Sequence, residues 1–171
     1  VTAGVSIAIN MPPMGLLLTF GGYFGLLFLT THLRNSAWGL LSIFALTGFM
    51  GLTLGPMINA YLHFYANGGQ LVMTAMGGTG AIFLGLSGYA LTTRKDFSFL
   101  GGYVFVGILV AFMAGIGALI FNLPALSLAV SAVFIMLMSA YILFQTSAMI
   151  HGDETNYIMA TISLYVSIYN L

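Results

Sequence analysis

Ionised side chains occur at only three places along this chain of 171 residues. They are Arg34, the run Arg94, Lys95 and Asp96, and the pair Asp153 and Glu154. Soluble domains carry about 25% charged residues, whereas this chain has 4% charged and 60% hydrophobic residues. Such a chain lacks the polar surface that water requires, but it suits hydrocarbon as a solvent. We therefore predict an integral membrane protein, with the lipid bilayer as the partner that surrounds it.

The stretches between these charges predict an all-α, polytopic bundle of transmembrane helices. A spanning helix needs about 20 apolar residues, and turn signals such as Pro12-Pro13 and Asn67-Gly68-Gly69 divide the longer runs. The predicted helices cover residues 1–10, 14–31, 39–62, 71–92, 98–121, 125–150 and 157–171. Because the chain opens and closes in apolar runs, we expect the first and last helices to be truncated. We treat residues 1–171 as one domain.

Small residues and one proline stand inside the predicted helices. Pro56, straight after Gly55, removes a backbone hydrogen bond and predicts a kink in the third helix. Small residues at helical spacing let backbones approach closely in membranes. They form the pairs Gly21/Gly25 and Gly51/Gly55 and the stripes Gly77/Ala81/Gly85 and Gly107/Ala111/Gly115. We expect them to pack within the molecule, and the alternative is a dimer face.

The Lys and Arg residues predict the topology. All three follow the second or the fourth predicted helix, so they lie on one side of the membrane if the helices alternate in direction. The positive-inside rule makes that side cytoplasmic. The acidic loop at 153–154 is then cytoplasmic as well.

Signals for catalysis are absent from the sequence. No Asp, Glu, Lys or Arg lies in the middle of a predicted span, which disfavours a proton-driven carrier. His32, His63 and His151 lie at helix ends on both predicted faces, so they cannot form one zinc site. The chain has no cysteine and no HExxH or P-loop motif. We predict no enzyme, no metal and no cofactor, and zero net charge predicts no nucleic-acid partner.

Uncharged polar residues cluster near the end of the sixth predicted helix and on the seventh. They are Gln145, Thr146 and Ser147, followed by Ser163, Ser167 and Asn170. Since a short loop joins the two helices, these groups are expected to meet inside the bundle. A single hydrogen bond between the helices is the favoured interpretation, and a polar plug or ion path is the alternative.

Several stretches resemble the Bax inhibitor-1 family, and in particular its bacterial YccA branch. Residues 48–56 read GFMGLTLGP and residues 91–102 read LTTRKDFSFLGG. Near the end, 151–158 reads HGDETNYI and 163–170 reads SLYVSIYN. The resemblance covers essentially the whole chain.

The resemblance implies seven transmembrane helices in a bacterial inner membrane, with the amino end in the cytoplasm. It implies a non-enzymatic modulator of the membrane AAA protease FtsH as the leading function. Arg34 resembles the family's basic residue at the cytoplasmic end of the second helix. The alternative that the family implies is a calcium or cation leak through the bundle.

In the family, the leak is closed by two aspartates that share a proton, one on each of the last two helices. The matching positions here are Gln145 and Ser167, and neither side chain titrates. A leak through this protein is therefore not expected to be gated by protons.

Overall fold

The computed structural model describes residues 2–152 and 155–171, with only the backbone of Leu16. The acidic pair predicted at the cytoplasmic face, Asp153 and Glu154, lies outside the described residues. Seven α-helices and no strand occur in the described part of the chain: α1 (Thr2–Ala8), α2 (Leu16–His32), α3 (Trp38–Phe64), α4 (Gly68–Thr93), α5 (Leu100–Ile120), α6 (Pro124–His151) and α7 (Tyr157–Asn170). Each predicted helix has a counterpart in the same order, and the ends differ from the predicted ones by at most three residues.

Four of the described helices are long and apolar enough to cross a membrane, namely α3, α4, α5 and α6. Leu17–His32 forms a shorter apolar helix. Large apolar side chains such as Leu17, Phe112 and Leu119 are exposed on these helices. Apolar exposure on this scale is typical of a surface that contacts lipid, and the predicted all-α membrane fold is confirmed.

The contacts along the chain form two compact units that divide at Gly78–Thr79, inside α4. The single-domain organisation stays a prediction. In the first unit α3 packs against both α1 and α2, and Leu46 and Met50 of α3 are buried. Gly22 of α2 lies directly under the ring of Phe49, where an added Cβ would overlap the ring. The absence of a side chain at Gly22 therefore lets α2 approach α3.

The contact between α1 and α3 forms a seam of small and polar residues. Three residues at a spacing of four, Thr2, Ser6 and Asn10, face Gly51, Gly55 and Asn59. An added Cβ on Gly55 would lie 2.5 Å from the Ser6 Cβ and 3.0 Å from the carbonyl oxygen of Ala3. The pair Gly51/Gly55 thus packs within the molecule, as expected from the sequence.

Ser6 stabilises α3 at the position where Pro56 interrupts its hydrogen bonds. Because Pro56 has no N–H, the carbonyl of Leu52 loses its normal partner four residues later. The buried Ser6 hydroxyl donates to that carbonyl at 3.1 Å. Helix α3 continues through Pro56 to Phe64, and the kink at Gly55 and Pro56 stays a prediction.

In the second unit α6 packs against both α5 and α7. Glycines of α5 face bulky side chains of α6: Gly101 faces Phe144, Gly107 faces Leu137 and Gly115 faces Val130. The numbers rise along α5 while they fall along α6, so the two helices are antiparallel. Gly107 and Gly115 thus pack within the molecule. At Gly21, Gly25, Gly77 and Gly85 an added Cβ would meet no described atom within 4 Å beyond its own stretch of helix.

The seam between α1 and α3 yields a test. We expect Gly55→Ala to destabilise the protein by about 1–3 kcal/mol, because the added methyl group overlaps Ser6 and a backbone carbonyl. Reversible unfolding in mixed micelles measures this change. Gly25→Ala is the matched control, since its Cβ meets nothing within 4 Å, and equal stability of the two variants would contradict the seam.

Candidate functional site

Gln145 and Ser167, the two positions that match the family's paired aspartates, are both buried in the second unit. The Gln145 amide donates to the Tyr141 hydroxyl at 2.7 Å. The Ser167 hydroxyl donates to the carbonyl oxygen of Ser163 at 2.6 Å. The amide nitrogen of Gln145 and the hydroxyl of Ser167 each bond within their own helix, and no hydrogen bond joins Gln145 with Ser167. The expected single bond between α6 and α7 is not found at this pair.

Ser147 binds α6 to the loop between α4 and α5. Its buried hydroxyl donates to the carbonyl oxygen of Lys95 at 3.2 Å and accepts from the backbone N–H of Phe97 at 3.0 Å. One side chain thus satisfies a donor and an acceptor of a loop about 50 residues earlier in the chain. These two bonds attach the backbone of the loop to α6 and leave neither group unpaired.

The loop held by Ser147 begins with a strained turn. Arg94 follows α4 with φ of 51°, a left-handed conformation that costs about 1–2 kcal/mol for a residue with a Cβ. Strain of this kind persists only where neighbouring contacts hold it. The two bonds of Ser147 to the next residues provide that support.

Asp96 closes the same loop. Its carboxylate accepts from the backbone N–H of Ser98 at 2.8 Å and from the Ser98 hydroxyl. These bonds hold the pKa of Asp96 below its usual 3.8, with a smaller contribution from His151. A lowered pKa means that the bonds stabilise the loop above pH 3.8 and are lost only as the pH falls through the lowered pKa. Near neutral pH the Asp96 carboxylate therefore stays ionised, and its bonds to Ser98 do not change with pH.

His151 ends α6 beside Ser147. Its Nδ1–H donates to the carbonyl oxygen of Ser147 at 2.9 Å, and the same nitrogen lies 3.4 Å from the Ser147 hydroxyl. A carbonyl oxygen only accepts, so Nδ1 carries the proton.

Ser147, His151 and Asp96 are the residue types of a catalytic triad. However, Nδ1 cannot take the serine proton, and that proton is already donated to Lys95.

Sequence reasoning placed Ser147 in the polar group near the end of α6 but missed its role. Its partners are backbone atoms of a distant loop, and no spacing rule indicates such a bond. The sequence did place the loop at 94–96 and the end of α6 on the same membrane face, and the structure brings them together. No group of three His, Cys, Asp or Glu that would hold a metal occurs among the described residues.

Arg34, the candidate basic residue at the cytoplasmic end, lies two residues beyond the end of α2 and is exposed. It belongs to the first unit, whereas Arg94 and Lys95 belong to the second. Its position next to the end of α2 is compatible with the basic residue expected at the cytoplasmic end of the second helix, and that role stays a prediction.

The fold and this site define a polytopic helical membrane protein whose polar side chains connect helices and loops. The chain belongs to the Bax inhibitor-1 family: the model of the family described as inhibitor of apoptosis-promoting Bax1 matches residues 1–171. The family resemblance seen in the sequence is thereby confirmed.

Curated relatives agree with this assignment. The chain is 50% identical over 171 residues to the Escherichia coli K12 protein named modulator of FtsH protease YccA, covering 100% of this chain and 77% of that protein. It is 55% identical over 169 residues to a Pseudomonas aeruginosa protein, covering 99% and 76%. A Vibrio cholerae membrane protein is 40% identical over 172 residues, covering 100% and 77%. One YccA sequence is named an inner membrane protein, and the predicted inner-membrane location is confirmed.

The loop held by Ser147 can be tested by proteolysis. Arg94 and Lys95 are two of only three trypsin sites in the chain. We expect Ser147→Ala to raise the rate of cleavage at this loop by about fivefold or more, since each lost hydrogen bond is worth about 1 kcal/mol. Ser139→Ala is the control, because the hydroxyl of the half-buried Ser139 bonds only within α6, to the carbonyl oxygen of Ile135. Unchanged cleavage after Ser147→Ala would contradict the role of this residue.

Proposed function

We propose that this protein is a non-enzymatic inner-membrane modulator of an FtsH-type membrane AAA protease. The observation that carries the proposal is the 50% identity, over the whole of this chain, to a protein named for that role. The match spans the whole of this chain rather than one motif, so it includes the loops as well as the helices.

The hydrogen bonds of the polar cluster support a non-enzymatic role. A serine nucleophile needs a base that accepts its proton at about 2.6–3.2 Å. Here the nearest imidazole nitrogen is 3.4 Å from the Ser147 hydroxyl and is itself a donor to a carbonyl. The Ser147 hydroxyl is committed to the loop at Lys95 and Phe97. The cluster has the geometry of a structural connection.

The loop at 94–97 is the part of the described site that a cytoplasmic partner would meet. Arg94, Lys95 and Asp96 are exposed, while Ser147 fixes the backbone behind them. A preordered charged loop loses little conformational entropy on binding. This arrangement supports contact with the soluble part of a membrane-anchored protease.

Co-purification tests the proposal. We expect FtsH to be retained with the tagged protein after detergent extraction, and deletion of the gene to change the turnover of membrane substrates of FtsH. An unrelated multi-pass protein of similar abundance is the control for detergent aggregation. The proposal fails if FtsH is not retained above that control and substrate lifetimes are unchanged.

A second candidate function is a cation or calcium leak through the second unit. The observation that favours it is the burial of Gln145, Thr146, Ser147 and Ser167 on two helices that pack together. Polar groups buried within a membrane protein often mark an ion path. Gln145 and Ser167 do not titrate, so such a leak is insensitive to pH at these positions.

Flux into liposomes separates the two functions. If the leak exists, we expect equal calcium flux at pH 6 and pH 8, and a loss of flux to background in Gln145→Leu because its buried amide is removed. Gln70→Leu is the matched control, since Gln70 is the other glutamine of the chain and is exposed at the start of α4. Flux at background for the unmodified protein, or flux that Gln145→Leu leaves intact, would argue against this leak.

A further inference from the structure

A cleft of about 370 Å³ opens in the first unit, where the end of the α1–α3 seam meets the turn after α1. Three prolines, Pro12, Pro13 and Pro56, form part of its wall. Since proline rings fix the backbone φ, this wall is stiff. The cleft is a preformed feature that the functions proposed above do not use.

Two asparagine side chains in the cleft leave a donor and an acceptor uncommitted. The Asn59 amide nitrogen donates to the Asn10 amide oxygen at 2.8 Å. Each amide has one acceptor oxygen and one donor nitrogen, and this bond uses the Asn59 nitrogen and the Asn10 oxygen. The Asn59 oxygen and the Asn10 nitrogen make no bond to a described residue. His63 also lines the cleft without a hydrogen bond to the described residues. The cleft therefore offers donors and acceptors side by side.

Among the residues that the structure describes, no Asp, Glu, Lys or Arg lines this cleft. An isolated anion or cation would find no opposite charge there. A ligand that carries one positive and one negative group and has no net charge fits this lining better. It needs an acceptor for its cation and a donor for its anion.

The cleft lies at one end of the spanning helix α3, the level at which lipid headgroups are expected. It is formed by the turn after α1 and the last two turns of α3. Next to it, the exposed rings of Tyr61 and Tyr65 are stacked with centroids 5.5 Å apart, and Phe64 is exposed. Aromatic rings are enriched where a membrane meets water. The ligand that reaches this position from the bilayer is a phospholipid.

We propose that this cleft binds the headgroup of phosphatidylethanolamine. The ammonium group of the lipid donates to the Asn59 oxygen, and a phosphate oxygen accepts from the Asn10 amide nitrogen. The imidazole of His63 lies at the rim and adds a further polar contact. Phosphatidylcholine has the same charges but no N–H donor on its cation, so it loses the bond to Asn59.

Native mass spectrometry of the protein from nanodiscs containing equal amounts of the two lipids tests this proposal. We expect phosphatidylethanolamine to be retained over phosphatidylcholine by about three- to tenfold, the ratio that one hydrogen bond provides. Asn59→Leu should abolish the preference, and His63→Phe, which leaves the asparagine pair intact, should reduce it. Asn170→Leu, an exposed asparagine at the end of α7, should keep it.

Three results would overturn the proposal. The first is equal retention of the two lipids by the unmodified protein. The second is a preference that survives in both Asn59→Leu and His63→Phe, which would place its origin elsewhere. The third is binding of soluble phosphoethanolamine with no retention of either lipid, which would assign the cleft to a free headgroup in place of a membrane lipid.

Discussion

The need to satisfy every backbone polar group without water determines this structure. In hydrocarbon an unpaired carbonyl costs several kcal/mol, so a proline inside a spanning helix creates an immediate demand for a donor. Pro56 creates that demand at the Leu52 carbonyl, and the Ser6 hydroxyl meets it at 3.1 Å. Gly55 leaves the space in which Ser6 reaches that carbonyl. One local defect in α3 thus specifies the position of α1.

The same demand explains the second unit. The loop after α4 leaves a carbonyl at Lys95 and an N–H at Phe97 near the end of α6, and the Ser147 hydroxyl satisfies both. In each unit the hydroxyl of a serine on one helix makes the hydrogen bonds that backbone groups of another segment would otherwise lack. These serines act as structural connections between segments that lie 46 to 52 residues apart.

Much of the fold could be predicted from the sequence, because the residues that end a helix lie at the helix end itself. Charges, prolines and Asn-Gly turns mark where apolar runs end, and the helices begin and end within three residues of those marks. The roles of Ser6 and Ser147 could not be predicted, because each depends on which distant backbone group comes into reach. The same holds for Gln145, whose partner is Tyr141 one turn earlier. Hydrogen-bond partners of this kind follow from packing, which composition and spacing do not encode.

The pairing of α5 with α6 limits how the second unit can move. Gly101, Gly107 and Gly115 each receive a different bulky side chain of α6. Sliding one helix along the other by a turn, about 5.4 Å, would place Phe144 and Leu137 against positions that carry side chains. The α5–α6 hairpin is therefore expected to move as one rigid body. Any shape change in this unit has to move α5 and α6 together, and the loop at 94–97 moves with them because Ser147 bonds to its backbone.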